Sequence, residues 1–229
     1  MTRMDLAALI LSYLYALSLL ISMEKIGKSR GWSPFVTRKL IHIGAGMWVW
    51  PTVLLFENWY IGVLPFFTFI FLNYFFHRQK TFSLMDGADS SLGTVYFAFS
   101  IFTLFLLFWR NAPHTHQLPI AMASTMVLTW GDAFAAIIGY KKGKHTYTIF
   151  GHKKTLEGSL AFFLVSIAAL FATLFLSFLY STAAFIPAKI LFASLITSAI
   201  ATFFEAVSPY GTDNLLIPFS SALTLFFIL

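Results

Sequence analysis

Long apolar runs dominate the chain, and short polar segments separate them. A helix that crosses a membrane needs about 20 mainly apolar residues. Seven runs come near or exceed that length, whereas an eighth, Leu215–Leu229, is shorter. The pattern therefore predicts an all-α, polytopic integral membrane protein of seven or eight transmembrane helices. The seven longer runs are Met4–Met23, Leu40–Phe56, Trp59–Phe76, Leu92–Trp109, Leu118–Gly139, Ser159–Tyr180 and Lys189–Val207.

The composition agrees with this prediction. Of the 229 residues, 59% are hydrophobic and 10% are charged, and the mean hydropathy is +0.80. A soluble domain has about 25% charged residues, so most of this surface must face lipid. Because the runs leave no room for a soluble domain, we expect residues 1–229 to form a single transmembrane domain. The absence of cysteine excludes disulfides, thiolate metal sites and a cysteine nucleophile.

The cations predict the orientation. The polar segments 24–39, 77–91 and 140–158 carry 12 of the 15 lysines and arginines. Because cytoplasmic loops are rich in these residues, we expect these segments in the cytoplasm and the N-terminus outside. Seven of the nine acids lie in or beside the same loops or the segment 208–214. The polar chemistry is therefore expected at the cytoplasmic face, and the net charge of +6 needs no nucleic-acid partner.

The segment from Gly131 to Ser159 concentrates the polar residues of the chain. Asp132 lies late in an apolar run, where a carboxylate costs roughly 2.5–3.5 kcal/mol at the bilayer centre. In a continuous helix, Asp132, Ala135, Gly139 and Gly143 fall on one face. This face could hold a metal and a phosphate. Alternatively, it could be a small-residue packing face on which a neighbour satisfies the acid.

A second polar group opens the next span. Thr155 can cap a helix that begins there, and the first turn of a helix binds phosphate through free amide groups. Lys153 and Lys154 add positive charge, and Glu157 follows at once. The alternative is an ordinary basic loop that contacts lipid headgroups.

Further candidate functional residues are polar side chains near the ends of other spans. Arg38, Lys39 and His42 share one helical face near the start of the second span. Glu205 is a carboxylate inside an apolar span, which is by default a functional candidate. A Pro-Tyr-Gly turn precedes Asp213 and Asn214 and could bring them to the level of Asp132. The alternatives are interfacial anchoring for the first group and plain turn chemistry for the last. His114 and His116 are interpreted as solvated.

These motifs together resemble those of the polyprenol kinases, the family of dolichol kinase, phytol kinase and the CTP-dependent diacylglycerol kinase. The match to the family's CTP-binding signature is Asp132-x2-Ala135-x3-Gly139-x3-Gly143, followed after nine residues by Lys153-Lys154-Thr155-x-Glu157-Gly158. An early Arg38-Lys39-x2-His42 element is similar too. So is a closing element of Glu205 and Asp213-Asn214-x3-Pro218. The motifs occur in the family's order across about four-fifths of the chain.

The resemblance implies a CTP-dependent kinase that phosphorylates a membrane-embedded prenyl alcohol at the cytoplasmic face. In a prokaryote the membrane would be the plasma (inner) membrane. The expected catalytic residues are Asp132, Lys154 and Glu157, and the expected metal is Mg²⁺, held by Asp132 with Asp213 or Glu205. The expected nucleotide-binding residues are Arg38, Lys39, His42, Gly139, Gly143, Lys153, Lys154, Thr155 and Asn214.

Two other functions stay open at this point. Phosphatidate cytidylyltransferases share the central signature, but their later His-Gly-Gly and Asp-Arg elements do not follow Gly158 in this chain. A transporter would place carboxylates deep in several spans, whereas here the acids collect at one face. We therefore favour the kinase. The sequence leaves the identity of the alcohol and the oligomeric state undecided.

Overall fold

A computed structural model describes residues 1–82, 92–109, 117–179, 186–209 and 211–229. This part of the chain folds into helices and one small β-hairpin. The helices are α1 (Arg3–Ser29), α2 (Pro34–Met47), α3 (Val49–Leu55), α4 (Trp59–Gly62), α5 (Leu64–Gln79), α6 (Gly93–Phe108), α7 (Leu118–Met126), α8 (Ala133–Lys142), α9 (Leu156–Leu179), α10 (Pro187–Val207) and α11 (Asp213–Ile228). A π-helical segment, Val127–Asp132, joins α7 to α8, and the hairpin strands are β1 (Thr146–Ile149) and β2 (His152–Thr155).

The predicted polytopic, helical architecture is confirmed. Five continuous helical segments are long and apolar enough to cross a membrane: Arg3–Ser29, Trp59–Gln79, Leu118–Lys142, Leu156–Ser177 and Pro187–Val207. Gly93–Phe108 and Asp213–Ile228 are apolar but shorter. Large apolar side chains such as Leu14, Phe71 and Phe227 are 60–77% exposed. Such a surface is compatible with lipid and not with water.

The second predicted span differs from the observed structure. Leu40–Phe56 is divided into the end of α2 and the short helix α3, with Trp48 between them. Pro51 has no amide hydrogen to donate to the carbonyl of Met47, so a continuous helix would lack a hydrogen bond at this point. Ser33 caps the start of α2 by accepting a hydrogen bond from the Val36 amide at 3.4 Å.

The hairpin was not predicted, because its residues were expected to form a loop. β1 pairs antiparallel with β2, so Tyr147 lies opposite Lys154 and Ile149 opposite His152. The connecting residues Phe150 and Gly151 both have positive φ, 49° and 80°. A two-residue turn of this kind matches the twist of the strands. The hairpin places β2 directly before α9.

The segment Leu118–Lys142 forms the centre of the bundle and is far more buried than the other four long spans. Val127 and Leu128 of the π-helical segment are fully buried, as are Phe162 and Leu170 of α9. Asp132 is the last residue of the π-helical segment. Such segments are frequent at functional sites, and this one sets the direction in which the Asp132 side chain leaves the central helix.

Candidate active site

The polar ends of several helices surround one cavity of about 810 Å³. Residues from α2, α8, the hairpin, the first turn of α9, the end of α10 and the start of α11 line its polar end. The cavity thus brings together residues that are far apart in the sequence. Of the predicted site residues, these line it: Arg38, Lys39, His42, Asp132, Gly139, Gly143, Lys153, Lys154, Thr155, Glu205, Asp213 and Asn214.

Asp132 is paired with Lys39 of α2. Lys39 Nζ donates a hydrogen bond to Asp132 Oδ2 at 2.5 Å, and both side chains are largely buried. His42 Nε2 lies 3.6 Å from the same carboxylate oxygen and 3.0 Å from the carbonyl oxygen of Leu128. One helical face of α2 therefore supplies two nitrogen groups to Asp132. A neighbour compensates this buried acid, as a charge inside a membrane requires.

The predicted face of α8 is observed, since Asp132, Ala135, Gly139 and Gly143 all line the cavity. Its small residues also allow α8 to pack closely on the start of α9. A Cβ atom added at Gly139 would lie 2.8 Å from Thr155 Oγ1. One added at Gly158 would lie 2.8 Å from the same oxygen and 2.9 Å from the carbonyl oxygen of Ala135. Close helix packing therefore accounts for these glycines.

A second lysine–carboxylate pair faces the cavity from the hairpin and α10. Lys154 Nζ donates to Glu205 Oε1 at 2.6 Å and also to the Glu205 carbonyl oxygen. The other carboxylate oxygen of Glu205 accepts a hydrogen bond from Ser159 Oγ at 3.3 Å. Tyr147 and Ser159 share a hydrogen bond of 2.6 Å between their hydroxyl groups. Sequence reasoning did not single out Tyr147, because its role depends on the hairpin register.

Thr155 is the N-cap of α9, as predicted. Its hydroxyl oxygen accepts a hydrogen bond from the Gly158 amide at 3.1 Å. Lys153 and Lys154 precede this cap as residues of β2, so the α9 N-terminus and both lysines border the same space. Free amide groups and a positive helix end favour an anion at such a place.

Glu157 is not brought to the cavity, although sequence reasoning assigned it a catalytic role. Its Oε1 lies 2.7 Å from His145 Nδ1, and its carboxylate accepts hydrogen bonds from the His145 amide. The His145 carbonyl oxygen in turn accepts from the Leu156 amide. These contacts fasten the segment before β1 to the first turn of α9.

Asp213 and Asn214 begin α11 and line the cavity beside the two pairs. Asp213 is near enough to Asp132 for their charges to interact, and the charges of Lys39 and Lys154 act on both carboxylates. Asn214 Nδ2 donates to Asp213 Oδ1 at 3.0 Å and to the Gly211 carbonyl oxygen at 3.3 Å. The turn before α11 thus brings Asp213 to the level of Asp132.

Two cations in the cavity have no acidic partner within the described part of the chain. Arg38 and Lys153 line it, and neither forms an ion pair among the residues that the structure describes. Lys39 and Lys154, in contrast, are each held by a carboxylate. A polyanionic ligand could therefore gain charge-assisted contacts from Arg38 and Lys153 without breaking an existing pair.

Whether the cavity carboxylates fit Mg²⁺ depends on how many oxygen ligands the protein itself has to supply. Within the described ranges, no group of three or more histidine, cysteine, aspartate or glutamate side chains could by itself enclose a metal ion. Mg²⁺ is commonly bound by one or two carboxylates together with substrate phosphates. Asp132 and Asp213 fit that requirement, whereas both carboxylate oxygens of Glu205 already accept hydrogen bonds.

The opposite end of the cavity is apolar. Aromatic and aliphatic residues of α1, α2, α5 and α6 line it, including Trp48, Phe66, Phe97 and Ile101. Sequence reasoning missed these residues, because an apolar residue that lines a cavity has the same pattern as one that faces lipid. His114 and His116, which we interpreted as solvated, lie outside the described residues.

Comparisons with known proteins agree with the family resemblance. The chain is 33% identical to the phytol kinase of Synechocystis over 82% of its own length and 77% of that protein. It is 25% identical to a probable phytol kinase of wheat, of which it spans about half. It is also 35% identical to CTP-dependent diacylglycerol kinase 1 of Schizosaccharomyces pombe over 48% of this chain and 51% of that protein.

No family model matches the chain, and no solved structure matches it. The identity and coverage against the Synechocystis protein nevertheless establish the relationship. Of the motif residues that carry the resemblance, all except Glu157 and Pro218 line the cavity described above. The chain therefore belongs to the polyprenol kinase family, whose members include phytol kinase, and is a lipid-alcohol kinase.

Proposed function

We propose that this protein transfers the terminal phosphate of CTP to a prenyl alcohol of the phytol type, at the cytoplasmic face of the membrane. The observation that carries the proposal is the two-ended cavity. One end holds paired lysines and carboxylates, and the other is lined by aromatic and aliphatic side chains. A prenyl alcohol has a matching division between its hydroxyl group and its apolar tail.

The polar end is suited to a nucleotide triphosphate. Arg38 and Lys153, which form no ion pair with a described residue, supply positive charge, Lys154 lies beside them, and the α9 N-terminus adds free amides. Lys39, His42, Thr155 and Asn214 complete the binding surface that we propose. Cytosine as the base is supported by the motif resemblance and by the printed activity of the Schizosaccharomyces pombe relative.

Mg²⁺ is part of the proposal, with Asp132 and Asp213 as its protein ligands. When bound, it would offset the negative charge of the phosphates. Lys39 holds Asp132 in position through the 2.5 Å contact. Glu205, an alternative ligand by sequence, is better suited to hold Lys154 toward the phosphates.

In phosphoryl transfer, the protein mainly positions the reactants and stabilises negative charge. In the proposed reaction the alcohol oxygen forms a bond to the γ-phosphorus, and the bond from that phosphorus to the bridging oxygen breaks, releasing CDP. The alcohol proton passes to an oxygen of the transferred phosphate, so the step needs no separate protein base, and Asp213 keeps its proposed role as a metal ligand.

The cytoplasmic location is supported by the distribution of cations in the sequence. The segments 24–39 and 140–158, which bear ten of these cations, contribute Arg38, Lys39, Lys153 and Lys154 to the polar end of the cavity. A nucleotide dissolved in the cytoplasm and an alcohol anchored in the bilayer would meet at this polar end of the cavity. In a prokaryote, the membrane would be the plasma (inner) membrane.

The test uses purified protein in liposomes with CTP labelled in either the α or the γ position. We expect γ label to enter the lipid alcohol in the presence of Mg²⁺ and α label to remain in CDP. Transfer of α label to a phosphatidate substrate, with release of pyrophosphate, would instead establish the cytidylyltransferase alternative.

A further inference from the structure

The apolar end of the cavity is an arm of limited depth. From Lys39, which pairs with Asp132 at the polar end, to Trp48, which directly follows α2, the lining residues span roughly 13 Å at the helical rise of about 1.5 Å per residue. On α6, they run from Gly93 to Ile101, roughly 12 Å by the same measure. The lining residues of α1 and α5 cover similar lengths. By the lining residues of all four helices, the arm is shorter than half the thickness of a hydrocarbon core of about 30 Å.

Trp48 lies at the deep end of this arm and is held from two sides. Its indole Nε1 donates a hydrogen bond to Ser12 Oγ at 3.0 Å. Its ring stacks on Tyr15 with a centroid distance of 4.1 Å and an interplanar angle of 14°. Tyr15 in turn donates from its hydroxyl to the Gly44 carbonyl oxygen at 2.8 Å. The indole is therefore fixed against α1.

The next helical turn beyond Trp48 is closely packed. Ala8 on α1, Val49 on α3, and Leu104 and Phe105 on α6 are all at most 3% exposed and do not line the cavity. A tail that reaches Trp48 therefore meets a packed core and not further space. The arm is also continuous with the polar end, since one cavity contains both Asp132 and Trp48.

We propose that Trp48 closes the arm and determines the length of the prenyl tail that the enzyme accepts. This inference rests on the proposed function, because the tail belongs to the alcohol substrate. Trp48 makes no contact with the reacting groups and acts as a specificity-determining residue. Prenyl tails that fit within the arm up to Trp48, a bent C20 phytyl tail included, are accepted, and much longer polyprenol tails are not.

The experiment measures kcat/KM for farnesol, geranylgeraniol and a long-chain polyprenol with full-length protein in liposomes. Trp48→Ala is expected to raise the ratio of long-chain to farnesol turnover about tenfold, since even one methylene group in an apolar pocket can change discrimination by that amount. Ala45→Leu narrows the arm one turn nearer its polar end and should shift the preference toward farnesol. Trp50→Ala, outside this cavity, is the matched control and should leave the ratios unchanged.

Opposite shifts from the two arm variants would support the inference, and unchanged ratios in both would overturn it. Trp48→Phe repeats the test with a smaller change if Trp48→Ala does not fold. A farnesol analogue with a photoreactive tail end should label the peptide that contains Trp48 or Ser12, and labelling only elsewhere would also overturn the inference. Labelling does not require turnover, so it separates this inference from the proposed function, whose failure would appear as no phosphate transfer to any alcohol.

Discussion

Lys154 and Glu205 are 51 positions apart in the sequence, yet Lys154 Nζ lies 2.6 Å from Glu205 Oε1. The contact joins the hairpin to the end of α10. Both side chains are largely shielded from solvent, so the pair is not an ordinary surface salt bridge. Ser159 and Tyr147 extend it into a hydrogen-bonded chain. This chain determines where the Lys154 charge lies in the cavity.

Removing one member of this pair should weaken nucleotide use. We expect Glu205→Gln and Lys154→Ala each to raise the KM for CTP about tenfold, because Lys154 is either misplaced or lost. The double variant should be no worse than Lys154→Ala alone, since residues of one network are not additive. Steady-state kinetics over a range of CTP concentrations measure these effects.

The control is Lys28→Ala, which removes the exposed lysine of a pair with Glu24 on α1, outside the cavity, and should leave the KM unchanged. Extra Mg²⁺ should not restore the KM for CTP of the Lys154→Ala variant. Additive effects of the Glu205 and Lys154 substitutions would contradict the proposed coupling.

Asp132→Asn should lower turnover about 10³-fold while the protein remains folded in the membrane. The substitution keeps the shape of the side chain but removes the charge that a hard cation and Lys39 require. Losses of this size accompany removal of one electrostatic group from an active site. Turnover and thermal stability are measured together in detergent.

Asp5→Asn is the matched control for Asp132→Asn. Asp5 is fully buried and accepts hydrogen bonds from Thr2 and Asn58, away from the cavity. The Asp5→Asn variant should have lower thermal stability and a nearly unchanged kcat. Near-normal turnover of a correctly inserted Asp132→Asn protein would leave Asp132 only a packing role.

Glu157→Gln distinguishes a base from a positioning group. Because Glu157 contacts His145 and does not line the cavity, we expect its turnover to stay within about fivefold of the wild type. The pair with His145 is exposed to solvent, where ion pairs contribute little. His145→Ala should have a similarly small effect. A loss of several orders of magnitude in Glu157→Gln alone would restore the catalytic role that the sequence motif suggested.

Single cysteines can test the orientation, because the chain has none of its own. We expect cysteines at positions 28 and 153 to react with an impermeant thiol reagent only from the cytoplasmic side. A cysteine at position 57 should react from the opposite side. Labelling is read on intact cells and on inverted vesicles. Reaction of position 153 in intact cells would overturn the proposed topology.

Much of the fold follows from hydropathy, because the cost of exposing polar backbone to lipid leaves helices as the main solution. The division of Leu40–Phe56 and the β1–β2 hairpin were harder to foresee. The division depends on whether the helical turn before Pro51 continues the helix or breaks it. The hairpin depends on a turn at Phe150 and Gly151 that no apolar pattern marks.

The composition of the site was predictable, but its pairing was not. Charged residues are scarce in this chain, so Asp132, Lys154 and Glu205 were visible as candidates. Which lysine meets which carboxylate depends on helix packing over separations of 93 and 51 residues. The sequence also placed Glu157 next to the motif lysines, whereas the hairpin directs it toward His145.

The Lys154–Glu205 contact also has a consequence for biogenesis. Segments of a membrane protein enter the bilayer in the order in which they are synthesised, and Lys39, Asp132 and Lys154 precede Glu205 and Asp213. Lys39 and Asp132 can neutralise each other before α10 and α11 are synthesised. Lys154 meets its partner Glu205 only when α10 is present, and Asp213 reaches the cavity only with α11. The proposed phosphate-transfer site therefore becomes complete in a nascent chain only after α10 and α11 have joined the bundle.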